Sequence, residues 1–242
     1  MTLLEIRKLS KSFGGLMANS DIDVTVDEGE IVGLIGPNGA GKTTLFNCVT
    51  GYYGPDSGQV RFDGHDITGW TPDRICKVGL ARTFQISKPF ISMSALENVM
   101  AGTFLHHRGT QAARQAALEL LEFTGLAARK NMVAGNLTVA DKKRLELTRA
   151  LATKPKMLML DEVMSGLTAT ETAAAIELIQ QLNREGITIL LVEHVMEVVM
   201  PISNRVTVLD YGKKIAEGAP REIANDDLVI KAYLGEKYSA PG

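Results

Sequence analysis

A glycine-rich loop, residues 36–43, constrains the fold of this chain more than any other stretch. It fits the phosphate-loop pattern G-x-x-x-x-G-K-[ST]. The apolar residues 30–35 before it are typical of a buried strand, and residues 44–50 after it are typical of a helix that Gly51 can end. A strand, a glycine turn and a helix start direct backbone N–H groups and the positive end of the helix to one place, where a phosphate binds well.

The loop also carries the side chains that a nucleoside triphosphate needs. Its glycines let the backbone curl without a Cβ in the way, Lys42 supplies a cation to the outer phosphates, and the Thr43 hydroxyl can hold Mg²⁺. The alternative is an ordinary glycine-rich turn, and the pattern arises by accident in about 1 in 100 chains of this size at average residue usage. The residues predicted to bind nucleotide are Gly36, Pro37, Asn38, Gly39, Ala40, Gly41, Lys42, Thr43 and Thr44.

Composition places the chain in the globular class. It has 242 residues, of which 45% are hydrophobic and 22% charged, and this suits one α/β domain with room for a subdomain. The formal net charge of −2 gives no electrostatic case for a nucleic-acid partner. Two cysteines, Cys48 and Cys76, make no disulfide framework and favour a reducing compartment. The first residues read as a strand and not as a signal peptide.

No apolar run reaches the roughly 20 residues that a membrane helix needs. If the protein works at a membrane, we expect it to do so through a partner.

Alternating strands and helices predict an α/β fold with a mostly parallel sheet and a site at its carboxyl edge. The predicted strands of this sheet cover residues 30–35, 78–85, 157–162 and 187–194, and a hairpin follows at 206–217. Strands at 2–9, 21–26 and 59–67 predict an antiparallel subdomain. Helices at 94–100, 111–126 and 139–152 predict an inserted helical subdomain, residues 86–155, between core segments 1–85 and 156–242. Further helices are predicted at 170–185 and, as two short ones, at 220–234.

Polar side chains stand at the ends of three predicted core strands: Asp161 with Glu162, Gln85, and His194. Each alone has a plain explanation, as a solvated strand tip or a core histidine with satisfied hydrogen bonds. Together, after a phosphate loop, they predict a catalytic edge. Asp161 and Thr43 suit Mg²⁺, which prefers oxygen ligands, and Glu162 can take a proton from an attacking water.

Phe13 precedes the Gly14-Gly15 turn and has two interpretations. Its ring can stack on an adenine, or it can be a surface aromatic at the end of a strand. The residues alone leave this choice open.

The arrangement resembles the ATP-binding-cassette (ABC) ATPase family over nearly the whole chain. The resemblance implies a P-loop ATPase fold that binds ATP and Mg²⁺, with Lys42 and Thr43 in the Walker A loop, Asp161 as the Walker B aspartate and Glu162 as catalytic base. It implies that Gln85 approaches Mg²⁺ and couples to a membrane partner, that His194 contacts the γ-phosphate, and that Phe13 stacks on adenine.

Residues 33–47, the segments Arg82-Thr83-Phe84-Gln85 and Val192-Glu193-His194, and the ending 231–236 resemble the ATPases of branched-chain amino-acid importers. That branch implies a second ATPase subunit in a head-to-tail dimer, two permease subunits, an extracytoplasmic binding protein, and a position on the cytoplasmic face of the plasma membrane. A lipopolysaccharide-export ATPase stays as a rival. A soluble cassette in translation or DNA repair lacks support, because this chain has neither two cassettes nor a long coiled-coil insertion. A nucleotide-gated regulator without hydrolysis is disfavoured by Glu162.

The chain departs from the family at its signature, usually Leu-Ser-Gly-Gly-Gln and here Leu137-Thr138-Val139-Ala140-Asp141. The family offers this segment to the ATP of the other subunit, so Thr138 and Ala140 are predicted to bind nucleotide in trans. Loss of two glycines removes close backbone approach, and we expect weakened but not abolished hydrolysis. Thr138 and Asp141 also have capping-box spacing. Thr168 stands where most members have aspartate, which predicts altered communication between sites.

Residues 85–93, with Pro89, Phe90 and Met93, are predicted to receive a short permease helix. Core packing of the helical insertion is an equal alternative for Phe90 and Met93.

Overall fold

The centre of the fold is a sheet built from the most apolar segments of the sequence. The computed structural model describes residues 1–85, 87–193 and 196–238. Among them, strands β3 (Ile31–Ile35), β7 (Met157–Asp161) and β8 (Thr188–Val192) are buried along their whole length. Such continuous burial is typical of a parallel sheet covered on both faces.

The strand order of this sheet is β10-β9-β3-β8-β7-β6. Strand β6 (Leu80–Arg82) pairs parallel with β7, and β9 (Arg205–Asp210) pairs parallel with β3. Strand β10 (Lys213–Gly218) pairs antiparallel with β9 and forms the predicted hairpin. The predicted mostly parallel sheet is therefore confirmed.

Side chains of the central strands alternate between two apolar cores, one on each face. Val32 and Leu34 of β3 belong to one core, whereas Ile31 and Ile35 belong to the other. Each fully buried side chain of this kind stabilises the fold by roughly 1.5–3 kcal/mol. Both faces must be covered, and this fixes the register of the strands.

A second, antiparallel sheet has the order β2-β1-β4-β5. It contains β1 (Thr2–Phe13), β2 (Leu16–Asp27), β4 (Ser57–Phe62) and β5 (His65–Asp66). The first two strands run longer than predicted, because register shifts in their pairing break the apolar alternation but not the ladder. Gly14 and Gly15 connect them.

The helices pack on the sheets or stand apart from them. They are α1 (Lys42–Val49), α2 (Pro72–Lys77), α3 (Ala95–Thr103), α4 (Thr110–Phe123), α5 (Val139–Leu151), α6 (Ala169–Arg184), α7 (Met196–Val199), α8 (Pro220–Ile223) and α9 (Asp227–Tyr238). Single-turn 3₁₀ helices cover Ala127–Arg129 and Ala134–Asn136. Helices α2 and α7 were not predicted from the sequence pattern.

Helices α3, α4 and α5 share a third core that includes Val99, Leu121 and Leu145. Ser94 caps α3 in a complete capping box with Glu97, as its spacing predicts. The inserted helical part of the predicted fold class is therefore confirmed.

The predicted strand 78–85 is wrong in its length, since β6 ends at Arg82. Thr83 donates one more backbone hydrogen bond, 3.0 Å, to the Met159 carbonyl, and the chain then leaves the sheet. This departure carries Gln85 over the carboxyl edge.

Among the residues that the structure describes, no helix is both long enough and apolar enough to cross a membrane.

Candidate functional site

The glycine-rich loop lies between β3 and α1, as its sequence context predicts. Two of its glycines are required by close approach. A Cβ on Gly36 would lie 2.1 Å from the Leu209 carbonyl oxygen, and a Cβ on Gly41 would lie 2.3 Å from that of Ala18. Both glycines also have positive φ, 150° and 99°. Any side chain at these positions would push the loop off β2 and β9.

Lys42 is buried inside this loop, with 7% of its surface exposed. Its Nζ donates hydrogen bonds to the carbonyl oxygens of Gly36, at 2.6 Å, and Pro37, at 2.8 Å. The curl of the loop thus fixes the ammonium next to the N-terminus of α1. The cation and the helix dipole together favour an anion at this place.

A cleft of about 660 Å³ opens above the loop. It is lined by Phe13, Leu16, Met17, Ala18, Asn38, Gly39, Ala40, Gly41, Lys42, Thr43, Thr44, Gln85, Glu162 and Tyr211. Segments far apart in sequence therefore meet at one cavity, whose size suits a nucleotide.

Phe13 reaches the cleft from the end of β1 and remains 44% exposed. Its ring meets Tyr53 edge to face, with centroids 5.2 Å apart, and Lys11 Nζ lies 5.6 Å from its centroid. A ring held in this way has an exposed side that can pack on a planar ligand.

Glu162 follows β7 directly and has a left-handed backbone, with φ of 48°. Its amide donates to the Val192 carbonyl at 2.9 Å, and Lys143 Nζ donates to the Glu162 carbonyl at 2.9 Å. Its carboxylate Oε2 accepts a hydrogen bond from Gln85 Nε2 at 2.7 Å. Neighbouring elements therefore fix both the backbone and the carboxylate.

Asp161 ends β7 and is buried, with 1% of its side chain exposed. Its Oδ2 accepts a 3.0 Å hydrogen bond from Arg82 Nη2. Burial raises the pKa of Asp161, and the Arg82 guanidinium opposes that rise. Burial also lowers the pKa of Arg82. The positive charge of Arg82 favours the ionised form of the Asp161 carboxyl group, whereas burial disfavours it.

The oxygen atoms of Asp161 and Thr43 fit a hard cation. Asp161 is not among the residues that line the cleft, but its carboxyl group is close enough to Lys42 for the two charges to interact. Asp161 Oδ1 is buried and has no hydrogen-bond partner among the described residues, and Thr43 is exposed to the cleft. In the described part of the chain, no group of three or more His, Cys, Asp or Glu side chains is placed to hold a metal. One carboxylate and one hydroxyl suit Mg²⁺, which keeps several waters and takes phosphate oxygens as further ligands.

Thr138 and Ala140 do not line this cleft. They stand at the N-terminus of α5, where Thr138 Oγ1 accepts a 3.1 Å hydrogen bond from the Asp141 amide. The Asp141 carboxylate lies 3.6 Å from Arg129 Nε. Of the predicted capping box, the structure shows the half in which Thr138 accepts a hydrogen bond from the Asp141 amide. Val139 is 61% exposed beside them. This helix end therefore faces away from the cleft and is exposed.

Thr168 caps α6 in a complete capping box with Glu171. The Glu171 amide donates to Thr168 Oγ1 at 3.3 Å, and the Thr168 amide donates to Glu171 Oε2 at 2.8 Å. The residue that replaces the family's aspartate therefore has a structural task of its own. His194, predicted at the same edge, lies outside the described residues.

Sequence reasoning assigned no role to three residues that shape the site: Asn19, Arg82 and Lys143. Asn19 is fully buried, and its Nδ2 donates to the Gly41 carbonyl at 3.2 Å. Asn19 is followed by Ser20 and Asp21 in β2, so the sequence pattern gave no signal for its burial. For Arg82 and Lys143 no local pattern could identify partners 79 and 19 positions away.

Comparison with family models gives two matches. A model described as ABC transporter matches residues 19–165. A second, described as Branched-chain amino acid ATP-binding cassette transporter, matches residues 213–239.

Several characterised proteins are similar over nearly their whole length. The high-affinity branched-chain amino acid transport ATP-binding protein of Pseudomonas aeruginosa is 40% identical, over 97% of this chain and 98% of its own. That of Escherichia coli K12 is 41% identical with the same coverage. The lipopolysaccharide export system ATP-binding protein of Haemophilus influenzae is 33% identical, over 98% of this chain and 99% of its own.

The solved structures similar to this chain include several ATP-binding cassettes. A nucleotide-free ATP-binding cassette from an ABC transporter has a TM-score of 0.88 and 30% identity, covering 96% of this chain and 99% of its own. An ATP-binding cassette in its ADP conformation also has a TM-score of 0.88 and 30% identity, covering 97% and 99%. A dimeric cassette in a post-hydrolysis state, bound to ADP and Pi, has a TM-score of 0.82 and 25% identity, covering 90% and 99%.

Proposed function

This chain belongs to the ABC transporter family of ATP-binding cassettes, and we propose that it is the ATP-hydrolysing subunit of an importer for branched-chain or related amino acids. The carrying observation is the cleft that joins Lys42, Gln85 and Glu162. The solute class is supported by 40% identity to the Pseudomonas aeruginosa relative and by the matching model at residues 213–239. Lipopolysaccharide export has weaker support, at 33% identity.

In this proposal the loop 36–43 binds the phosphates through its backbone N–H groups, and Lys42 offsets the charge of the outer phosphates. Phe13 packs on the adenine. Glu162 accepts the proton of the attacking water, since its carboxylate is exposed to the cleft and held in place by Gln85. His194 is proposed to contact the γ-phosphate, by resemblance alone.

Thr43, Asp161 and Gln85 would hold Mg²⁺. When bound, Mg²⁺ neutralises charge on the triphosphate and stabilises the transition state of phosphoryl transfer. The observation that supports this assignment is the buried Asp161 Oδ1, which has no hydrogen-bond partner within the described part of the chain.

The signature segment is proposed to complete the site of a second cassette in a head-to-tail dimer. Thr138 keeps a hydroxyl and α5 keeps its positive end, but Val139 and Ala140 prevent the backbone approach that two glycines allow. A hydrogen bond to a charged group contributes roughly 1.5–3 kcal/mol. Its loss would slow hydrolysis by about one or two powers of ten, and the enzyme would remain active.

Permease docking is proposed at the predicted surface 85–93. Phe90 of this surface contributes to a groove of about 310 Å³, whose lining also includes Tyr52, Phe84 and Arg149. Phe90 is 46% exposed, and its ring lies 4.5 Å from the Arg149 guanidinium. An exposed aromatic at an apolar groove favours docking over core packing for this residue.

The complete assembly in this proposal contains a second cassette, two permease subunits and an extracytoplasmic binding protein, with this chain on the cytoplasmic face of the plasma membrane. The importer resemblance favours a heterodimer of cassettes. We also retain the division into a core, 1–85 and 156–242, and a helical subdomain, 86–155. The separate apolar core of α3, α4 and α5 supports that division.

The test is copurification from the native membrane followed by reconstitution of the captured assembly in liposomes. We expect two permeases to copurify and branched-chain amino acids with their binding protein to stimulate ATP hydrolysis. A Lys42→Ala assembly serves as the inactive control. Capture of lipopolysaccharide-transport subunits, or stimulation by lipid A and not by amino acids, would contradict the solute assignment.

A further inference from the structure

The Arg82 guanidinium lies between the phosphate-loop helix and the strand that ends at Asp161. Its Nη1 donates to Asn47 Oδ1 at 2.7 Å and to Thr50 Oγ1 at 3.1 Å, both at the C-terminal end of α1. Its Nη2 donates to Asp161 Oδ2 at 3.0 Å, and its Nε donates to the Thr83 carbonyl at 3.1 Å. One side chain therefore connects α1, β6 and β7.

This connection is buried. The side chains of Arg82 and Asp161 are 7% and 1% exposed. Aromatic rings also surround the guanidinium, whose carbon lies 4.6 Å from the Phe84 centroid and 5.4 Å from that of Tyr52. Breaking one partner of a buried ion pair leaves an uncompensated charge, so the pair resists rearrangement.

The same connection decides which oxygen of Asp161 is available. Arg82 occupies Oδ2, whereas Oδ1 is buried without a hydrogen-bond partner among the described residues. Thr43, another of the proposed magnesium ligands, stands in the first turn of α1. Since α1 is eight residues long, a bond at its far end limits how α1 can move relative to Asp161.

We propose that Arg82 is a positioning residue for magnesium: it fixes α1 against β7 and leaves a single oxygen of Asp161 for the ion. This inference rests on the proposed role of Asp161. Arginine is required because its planar fork bonds Asn47 and Thr50 through one nitrogen and Asp161 through another, whereas a lysine ammonium is a compact point charge.

The test is the Arg82→Lys variant of the full chain, which keeps the positive charge and removes the fork. A fluorescent ATP analogue is titrated in EDTA, and then Mg²⁺ is titrated at fixed analogue. We expect the EDTA affinity to stay within about twofold of wild type. The Mg²⁺ concentration at half-saturation should rise about tenfold, the lower end for loss of an outer-shell contact at a metal site.

Two further variants make the result specific. Asn47→Ala removes one of the two anchors on α1 and keeps Thr50 and the ion pair, and it should raise half-saturation about threefold, as for one neutral hydrogen bond. Arg74→Lys is the matched control, because Arg74 stacks on Trp70 at 4.1 Å and lines neither the cleft nor the groove. It should leave both titrations unchanged.

Asp161→Asn distinguishes failure of the proposed magnesium role of Asp161 from failure of the inference about Arg82. If it does not change the Mg²⁺ titration, the proposed role of Asp161 fails. If it raises half-saturation while Arg82→Lys behaves as wild type, only the inference about Arg82 fails. An equal loss of affinity in EDTA and in Mg²⁺ for Arg82→Lys would show a general structural role and would also overturn it.

Discussion

Gln85 Nε2 donates a 2.7 Å hydrogen bond to Glu162 Oε2, joining residues 77 positions apart in the chain. Gln85 follows β6 and Glu162 follows β7, so the contact forms where two adjacent parallel strands end. It places the residue proposed to sense the permease directly on the proposed catalytic base.

Gln85→Ala removes that contact and leaves the phosphate loop intact. We expect kcat for ATP hydrolysis to fall about tenfold, the effect of one lost hydrogen bond at a charged group. The affinity for ATP in EDTA, where no Mg²⁺ is bound, should stay unchanged, as measured by equilibrium binding. Gln115→Ala is the matched control, since Gln115 donates a similar 2.9 Å bond to Glu119 on the exposed face of α4. If kcat is equal in both variants, the proposed action of Gln85 on Glu162 is wrong.

The second prediction concerns the altered signature. Val139→Gly with Ala140→Gly should restore close backbone approach and raise ATP hydrolysis by the assembled transporter about tenfold. Ala173→Gly with Ala174→Gly adds the same two glycines to the exposed face of α6 and controls for helix destabilisation. Unchanged hydrolysis in the signature variant would refute the idea that these residues weaken the site.

The third prediction concerns Thr168 as the N-cap of α6. Thr168→Ala should lower the free energy of unfolding by about 1 kcal/mol, because it removes the N-cap of α6. Thr168→Asp keeps a capping oxygen and should match wild type within about 0.5 kcal/mol. Urea unfolding of both variants provides the measurement. Equal stability of the alanine and wild-type proteins would contradict the capping role.

The fourth prediction concerns Cys48. Burial raises the pKa of its thiol from 9.0 to about 11. Because the folded value is the higher one, this thiol contributes stability below pH 9 that is lost as the pH rises towards 11. At pH 8 the native thiolate fraction should be about 100-fold smaller than in the unfolded chain. Alkylation by iodoacetamide, followed by peptide mass analysis, should therefore modify Cys48 slowly in buffer and readily in urea. Equal rates would show that Cys48 is not buried.

The apolar pattern predicted the central sheet because β3, β7 and β8 are mostly apolar and stand between helices. The same pattern did not predict two other features. Helix α2 has six residues, too few for helical periodicity, although Thr71 before Pro72 and Asp73 is a local start signal. Residues 83–85 have strand-like composition, yet they leave the sheet to cover its edge.

The candidate site shows the same division. The spacing of glycine, lysine and threonine within the loop 36–43 was enough to predict its position between a strand and a helix. The ion pair of Arg82 with Asp161 was not, because no pattern within β6 indicates a partner on β7. The hydrogen bonds from Arg82 to Asn47 and Thr50 depend on the packing of α1, which only the complete fold determines.

The proposed mechanism of hydrolysis depends most directly on Glu162 as the base that activates water. Glu162→Gln keeps the size of the side chain and removes its basicity, so ATP should still bind. Phosphate release by the assembled transporter should fall about 10² to 10⁴-fold, and size-exclusion chromatography should show an ATP-dependent cassette dimer. Glu185→Gln, at the end of α6, is the control. Hydrolysis by Glu162→Gln at the wild-type rate would contradict the account.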